Sequence, residues 1–200
     1  INSNQRIGVN YSQNTQKLKY GGSIEIRENQ RDSWSKRHTE SFLSDNTSQF
    51  SQQNNQSNGK TDAISGNFRF EWKIDSLTTI MYRPSVNFSK GNSNSGSFSE
   101  TLNNELIPIN QKEATNRQTN DRFSTNGSLQ FNRKLNSKGR NIALRLYYNL
   151  DNGNSDRYSL ANTYYLKYGD SIKVQNQWID NLNRNHEYRV QLTYMEPVFT

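Results

Sequence analysis

From residue 66 to residue 88 the chain reads GNFRFEWKIDSLTTIMYRPSVNF, with bulky apolar groups at Phe68, Phe70 and Trp72, then at Ile80, Tyr82, Val86 and Phe88. Arg69, Glu71, Lys73, Arg83 and Asn87 stand between them. Successive side chains leave a β-strand on opposite sides, so strict alternation predicts strands with one apolar and one polar face. At helical spacing the same apolar residues would point around the whole cylinder and bury nothing coherent.

The pattern recurs. Ile7, Val9 and Tyr11 alternate with polar neighbours, as do Leu18, Tyr20, Ile24 and Ile26. Phe123, Leu129, Phe131 and Leu135 form another set, Ile142, Leu144, Leu146, Tyr148 and Leu150 a further one, and Tyr188, Val190, Leu192 and Tyr194 the last. These sets predict about seven strands, each near the 9–11 residues that a tilted strand needs to cross a bilayer. Pro84 stands inside one of them and cannot donate a ladder hydrogen bond, which predicts a bulge or a lost bond there.

The connections also alternate. Short turns, QNTQK, DSLT and NSKGR, join strands at one end; long polar segments, about 28 to 62, 89 to 122 and 152 to 185, join them at the other. DNTSQFSQQNNQSNGKTD and SKGNSNSGSFSE are Asn/Ser/Gln-rich tracts, read as loops mobile at their tips, with strands extending into the loop bases. Short turns on one rim and long loops on the other describe an outer-membrane barrel.

Composition agrees with that reading. Only 30% of the 200 residues are hydrophobic and mean hydropathy is −1.10, too polar for a conventional buried core, yet 12% are aromatic, which is unlike a disordered chain. A barrel resolves the conflict, because its strands need one apolar face and no apolar interior. Backbone groups in hydrocarbon must be satisfied internally, so spanning strands must close on one another. The apolar set then faces lipid, and Arg69, Glu71, Lys73, Arg83 and Asn87 face a wet or plugged lumen. Trp72, Tyr82, Phe131, Tyr11, Tyr20 and Tyr194 lie toward the short-turn ends, where an aromatic girdle would meet the headgroups. Gly22, Gly66 and Gly127 share the outward parity and mark close packing or curvature.

Candidate chemistry is sparse. The net charge is +7 and the pI about 9.6, but no dense Lys/Arg block marks a nucleic-acid site, and no nucleic-acid partner is expected. Cysteine is absent, which excludes disulfides and Cys-based metal sites. His38 and His186 stand far apart and are read as a loop residue and a strand-end residue. No phosphate-binding loop, nucleophile elbow or dinucleotide fingerprint occurs, so no enzyme activity, catalytic residue, cofactor or metal site is expected, and ligand-binding residues are not identified. The sequons at Asn46, Asn55, Asn87 and Asn126 carry no weight in so Asn/Ser-rich a chain. On the inward parity, Glu25, Glu71 and Glu187 with Arg27, Arg69, Arg83, Arg145 and Arg189 read either as mutually neutralising lumen charges or as a ladder that orients a solute or holds a plug.

FEWKIDSLTTI, LQFNRKLNSKGRNIALRLYYNLDNGNS and LTYMEPV carry a resemblance to a family. The first is a strand, a tight turn at Asp75-Ser76 and a return strand; the second passes through a Lys-Gly-Arg turn; the third holds a Tyr-x-Glu-Pro turn. In these the chain resembles the outer-membrane β-barrel proteins related to the barrel of TonB-dependent receptors, from about residue 60 onward. The resemblance implies a full barrel of about 22 strands, an N-terminal plug domain, a periplasmic energy-coupling partner and active import of a bulky solute.

The expected fold is therefore all-β: an antiparallel up-and-down transmembrane barrel segment with short periplasmic turns and long extracellular loops. Residues 1–200 are read as one partial barrel domain of a larger protein in a Gram-negative outer membrane, without the plug and the remaining strands. The alternatives are a passive or structural outer-membrane barrel and a secreted, soluble β-sandwich binding or adhesion domain.

Overall fold

A computed structural model describes residues 2–43, 47–136, 139–167 and 171–197. Within them the fold is all-β, a single antiparallel sheet whose strands neighbour one another in chain order. The strands are β1 (Ser3–Asn14), β2 (Leu18–Phe42), β3 (Ser48–Lys73), β4 (Thr78–Leu102), β5 (Pro108–Lys134), β6 (Asn141–Tyr165) and β7 (Ser171–Met195). No helix occurs among the described residues. The sheet is not closed: β1 and β7 are its open edges, β1 pairs with Lys19–Gln30 of β2, and from Arg31 onward β2 is paired with β3.

The turns on one end are built from side-chain caps. Thr15 Oγ1 accepts the Leu18 amide at 2.9 Å, and Asp75 Oδ1 accepts the amides of Leu77 and Thr78, each at 2.7 Å. Asn136 Oδ1 accepts the Arg140 amide at 3.0 Å across the NSKGR turn, whose residues 137 and 138 lie outside the described residues. These Asx-type bonds satisfy amides that the ladder leaves free.

At the opposite end the outcome differs from the expectation of long loops. Strands run through most of 28–62, 89–122 and 152–185, leaving only 43–47, 103–107 and 166–170 as connections. Within the tracts read as loops mobile at their tips, 48–62 belongs to β3 and all of 89–100 to β4, while residues 45 and 46 lie outside the described residues. The reason is that a ladder needs only backbone groups, and here short polar side chains also bridge strands laterally. Ser33 meets Ser57 at 2.7 Å, Asn55 donates to Ser35 at 3.2 Å, and Gln118 donates to Ser155 at 3.1 Å. With both faces polar, the alternation that identifies a strand disappears although the strand continues. The tight 103–107 connection places Leu106 at φ 62°, with Asn103 Oδ1 accepting the amides of Glu105 and Ile107.

Pro84 does cost ladder pairing, without a bulge. β3 and β4 pair on either side of it in constant register, at Asn67–Ser85 and Phe70–Tyr82, but Phe68 and Arg69 have no bridge partner on β4. On its other side Pro84 sits opposite Gly127.

A conventional core is missing. Among the described residues the buried apolar ones are Ala63, Leu102 and Ala161, whereas Ile7 is 74% exposed and Val190 69% exposed. A single layer of sheet with its apolar side chains bare is a structure whose apolar face awaits another medium.

Candidate functional site

Because directly paired residues on adjacent strands share a face, the register sorts the sheet into rows. Five successive rows on one face are mainly apolar. The first runs Leu18, Trp72, Ile80, Phe131, Leu144, Leu192, and the next Tyr20, Phe70, Tyr82, Leu129, Leu146, Val190. The third holds Tyr11, Gly22, Gly127, Tyr148 and Tyr188; the fourth has Val9, Ile24, Gly66, Val86 and Leu150, with Thr125 on β5 and His186 on β7; the fifth has Ile7, Ile26, Ile64, Phe88 and Phe123, then Asn152 on β6 and Arg184 on β7. One step further the same face turns charged, at Glu28, Asp62, Lys90 and Asp121. The apolar surface is thus a belt whose border steps down from the fifth row on β1–β5 to the fourth on β6 and the third on β7.

The six aromatic residues singled out by sequence all lie on this face but do not form one line. Trp72 and Phe131 share the first row, Tyr20 and Tyr82 the second, Tyr11 the third, and Tyr194 lies beyond the first row, opposite Ile142. Tyr11 and Tyr20 approach with ring centroids 6.1 Å apart, and Phe70 stacks on Tyr82 at 6.4 Å.

The outward glycines have a specific function in packing. The Phe68 ring covers both Gly22 and Gly66, so that a Cβ would lie 2.5 Å from its Cδ1 at the first and 3.0 Å from its Cε2 at the second. Tyr148 covers Gly127 in the same way, an aromatic ring filling the gap that a strand glycine leaves. Sequence reasoning did not assign Phe68 and Tyr148 this role, since it requires the offset between strands.

The opposite face is mainly polar, with Ala63, Met81 and Ala143 among its few apolar members. Near β1–β3 it carries a hollow of about 620 Å³ lined by Asn10, Lys19, Asn67 and Arg69, and near β4–β7 one of about 380 Å³ lined by Arg83, Asn126, Tyr147, Glu187 and Arg189. The charges expected on this face are all there, but only some meet. Glu71 takes Arg69 at 2.9 Å and Lys19 at 3.9 Å; Glu187 takes Arg189 at 3.1 Å; Glu25 takes Arg6 at 3.3 Å, although Arg27 is on its own strand. Arg122 and Asp151 form a pair not foreseen from sequence, in two parallel bonds of 2.8 and 2.5 Å. Arg27, Arg83 and Arg145 form no ion pair with these acids.

Outside the belt three groups are electrostatically tuned. The amides of Leu77 and Thr78, with the Thr78 hydroxyl, hold the Asp75 carboxyl below the ordinary aspartate range against its partial desolvation. The Tyr194 hydroxyl and Arg140, the latter at 2.6 Å, lower Glu196 in the LTYMEPV segment, whose Val198 lies outside the described residues. A hydrogen bond to Glu28, assisted by Asp62, raises Lys60.

His38 and His186 are strand residues, not a loop residue and a strand end. His38 pairs with Gln52 inside β2, and His186 lies within β7, 3.3 Å from Asn152 Oδ1. No group of three acidic or histidine side chains suited to a metal ion occurs among the described residues. Asn55, Asn87 and Asn126 of the sequons are paired within strands, and Asn46 lies outside the described residues. No family model and no curated protein matches this chain.

Proposed function

We propose that this sheet is a sector of an outer-membrane β-barrel in a Gram-negative bacterium, its apolar belt against lipid and its polar face lining the lumen. One observation carries the reading: the register gathers apolar residues from all seven strands into one belt on one face, in the third to fifth rows on β1 and the first to third on β7. Five rows span about 27 Å of strand, and a tilt of about 40° reduces that to about 21 Å of height before the boundary side chains are added. The lipid-facing band of such barrels is about 25 Å tall. A soluble sandwich has no reason to stop its apolar face at that height while the strands continue in register.

In this reading β1 and β7 pair with further strands to close the wall, since open edges do not persist in hydrocarbon. The extended polar stems beyond the belt form the wall of a vestibule outside the cell. The resemblance to TonB-dependent receptor barrels supports a transporter that imports a bulky solute, with a plug and a periplasmic energy-coupling protein as partners.

Spin labels test the orientation. At Val86 and Leu144, collision with oxygen dissolved in acyl chains should dominate; at Asn87 and Arg145, collision with a water-soluble nickel chelate should. Labels at Val86 and Leu144 shielded from both reagents would mean a second protein layer, and the barrel reading would be abandoned. A heat-modifiable band from detergent-extracted protein is the expected companion result, and uptake insensitive to collapse of the proton gradient would replace active import by a passive pore.

A further inference from the structure

The ion pairs of the polar face do not balance. Between the apolar rows and on their immediate flanks this face carries nine basic and four acidic side chains. All four acids are engaged, Glu71 with two cations at once. Arg27, Lys73, Arg83 and Arg145 have no ion pair among the described residues.

Arg83 is the best placed of these. Glu71 is already shared by Arg69 and Lys19, so it offers Arg83 no competing anchor. Arg83 lines the hollow of about 380 Å³ together with Tyr147, Asn126, Ser128 and Arg189, and the one acid there, Glu187, is engaged by Arg189 at 3.1 Å. Guanidinium, phenol, amide and hydroxyl donors converging on one recess are the chemistry that recognises an oxyanion, and the guanidinium fork matches it in two bonds. The recess is at the small end of the range for a small-molecule site, which suits an anionic group and its carrier better than the flank of a protein domain. Unpaired cations along a wet wall backed by hydrocarbon also focus a positive potential along the path.

We infer that the wall selects an anionic solute, one bearing carboxylate, phosphate or sulfonate groups, and that Arg83 with Tyr147 forms a contact point on its route. The inference rests on the polar face being a lumen.

The test titrates the whole detergent-extracted protein with a pyrene trisulfonate dye, read by fluorescence anisotropy at low and physiological salt. Binding should be saturable, weakened by salt and displaced by citrate. It should weaken about tenfold or more in Arg83→Gln, further in Arg83→Gln/Arg145→Gln, and hardly at all in Lys60→Gln, which lies on the opposite face. Absence of dye binding, or equal binding by the wild type and Arg83→Gln, overturns the inference. So does a fall in thermal stability of Arg83→Gln with dye binding unchanged, which would assign the cation to a protein segment. Heat modifiability and lipid accessibility of Val86 are measured on the same sample. If they hold while dye binding fails, the anion inference alone is lost; if they fail, the lumen itself is lost and the inference with it.

Discussion

The Tyr148 ring on β6 fills the space above Gly127 on β5, its direct partner in the ladder: a Cβ at 127 would stand 2.7 Å from Cε1 and 2.8 Å from the hydroxyl oxygen. By leaning over the glycine the tyrosine reaches past β5 to β4, where its hydroxyl lies 3.1 Å from that of Tyr82. One missing methyl group thus lets three strands be tied by a side-chain bond.

Gly127→Ala should displace the ring and break that bond, destabilising the folded protein by about 1–2 kcal/mol in denaturant titrations in detergent. Tyr148→Phe should cost about 0.5–1.5 kcal/mol, since only the hydroxyl is lost. The double variant Gly127→Ala/Tyr148→Ala should cost less than the sum of its single changes, because the clash vanishes with the ring.

Gly22→Ala should be worse than Gly127→Ala. At 127 the nearest atoms belong to the far end of a side chain that can swing outward, whereas at 22 a Cβ also meets the Asn67 carbonyl oxygen at 2.9 Å, which is fixed by the ladder. The order of unfolding midpoints in the two single variants decides it.

The Asp75 cap gives a pH dependence of known sign. Its folded-state carboxyl titrates below the ordinary aspartate value of 3.8, so the carboxylate contributes stability in full above that value and loses it as pH falls through the folded-state value. Asn at this position keeps an acceptor oxygen without the charge. Wild type should therefore be more stable than Asp75→Asn at neutral pH, the two curves converging in strongly acidic buffer, while Asp75→Ala should stay below both at neutral pH. Unfolding midpoints across a pH series read the effect.

The two faces of one strand pair should respond oppositely to charge. Leu146→Arg, in the second row of the belt, should destabilise the protein by about 2–4 kcal/mol in lipid or detergent, whereas Asn149→Arg on the polar face, opposite Asn126 and Glu187, should be within about 0.5 kcal/mol of wild type. Similar losses at both positions would contradict the assignment of the belt to lipid.

How far the sequence reaches is visible in β4. From Ile80 to Phe88 period-two alternation identifies both the strand and its apolar face, and Asp75 announces the turn before it. From Asn92 to Gly96 the same strand continues as Asn-Ser-Asn-Ser-Gly, where neither face is apolar and no period remains to be read. The residues of the belt were therefore legible and its polar extensions were not. Register was hidden as well, and with it everything that depends on a partner: the cover of Phe68 over Gly22 and Gly66, the Arg122–Asp151 pair, and the choice of Arg6 by Glu25. Pro84 lies between these cases, since its missing N–H is plain in the sequence but the constancy of register across it is a property of the assembled sheet.

The stem formed by Ser51 to Thr61 carries one last consequence. By composition it is digestible linker, yet it is paired to β2 on one side and β4 on the other. A protease clamps its substrate as a lone extended ribbon, with amides and carbonyls free to enter the cleft, and these are already committed to neighbours. Trypsin should consequently pass over Lys60 and Lys90, deep inside the palisade.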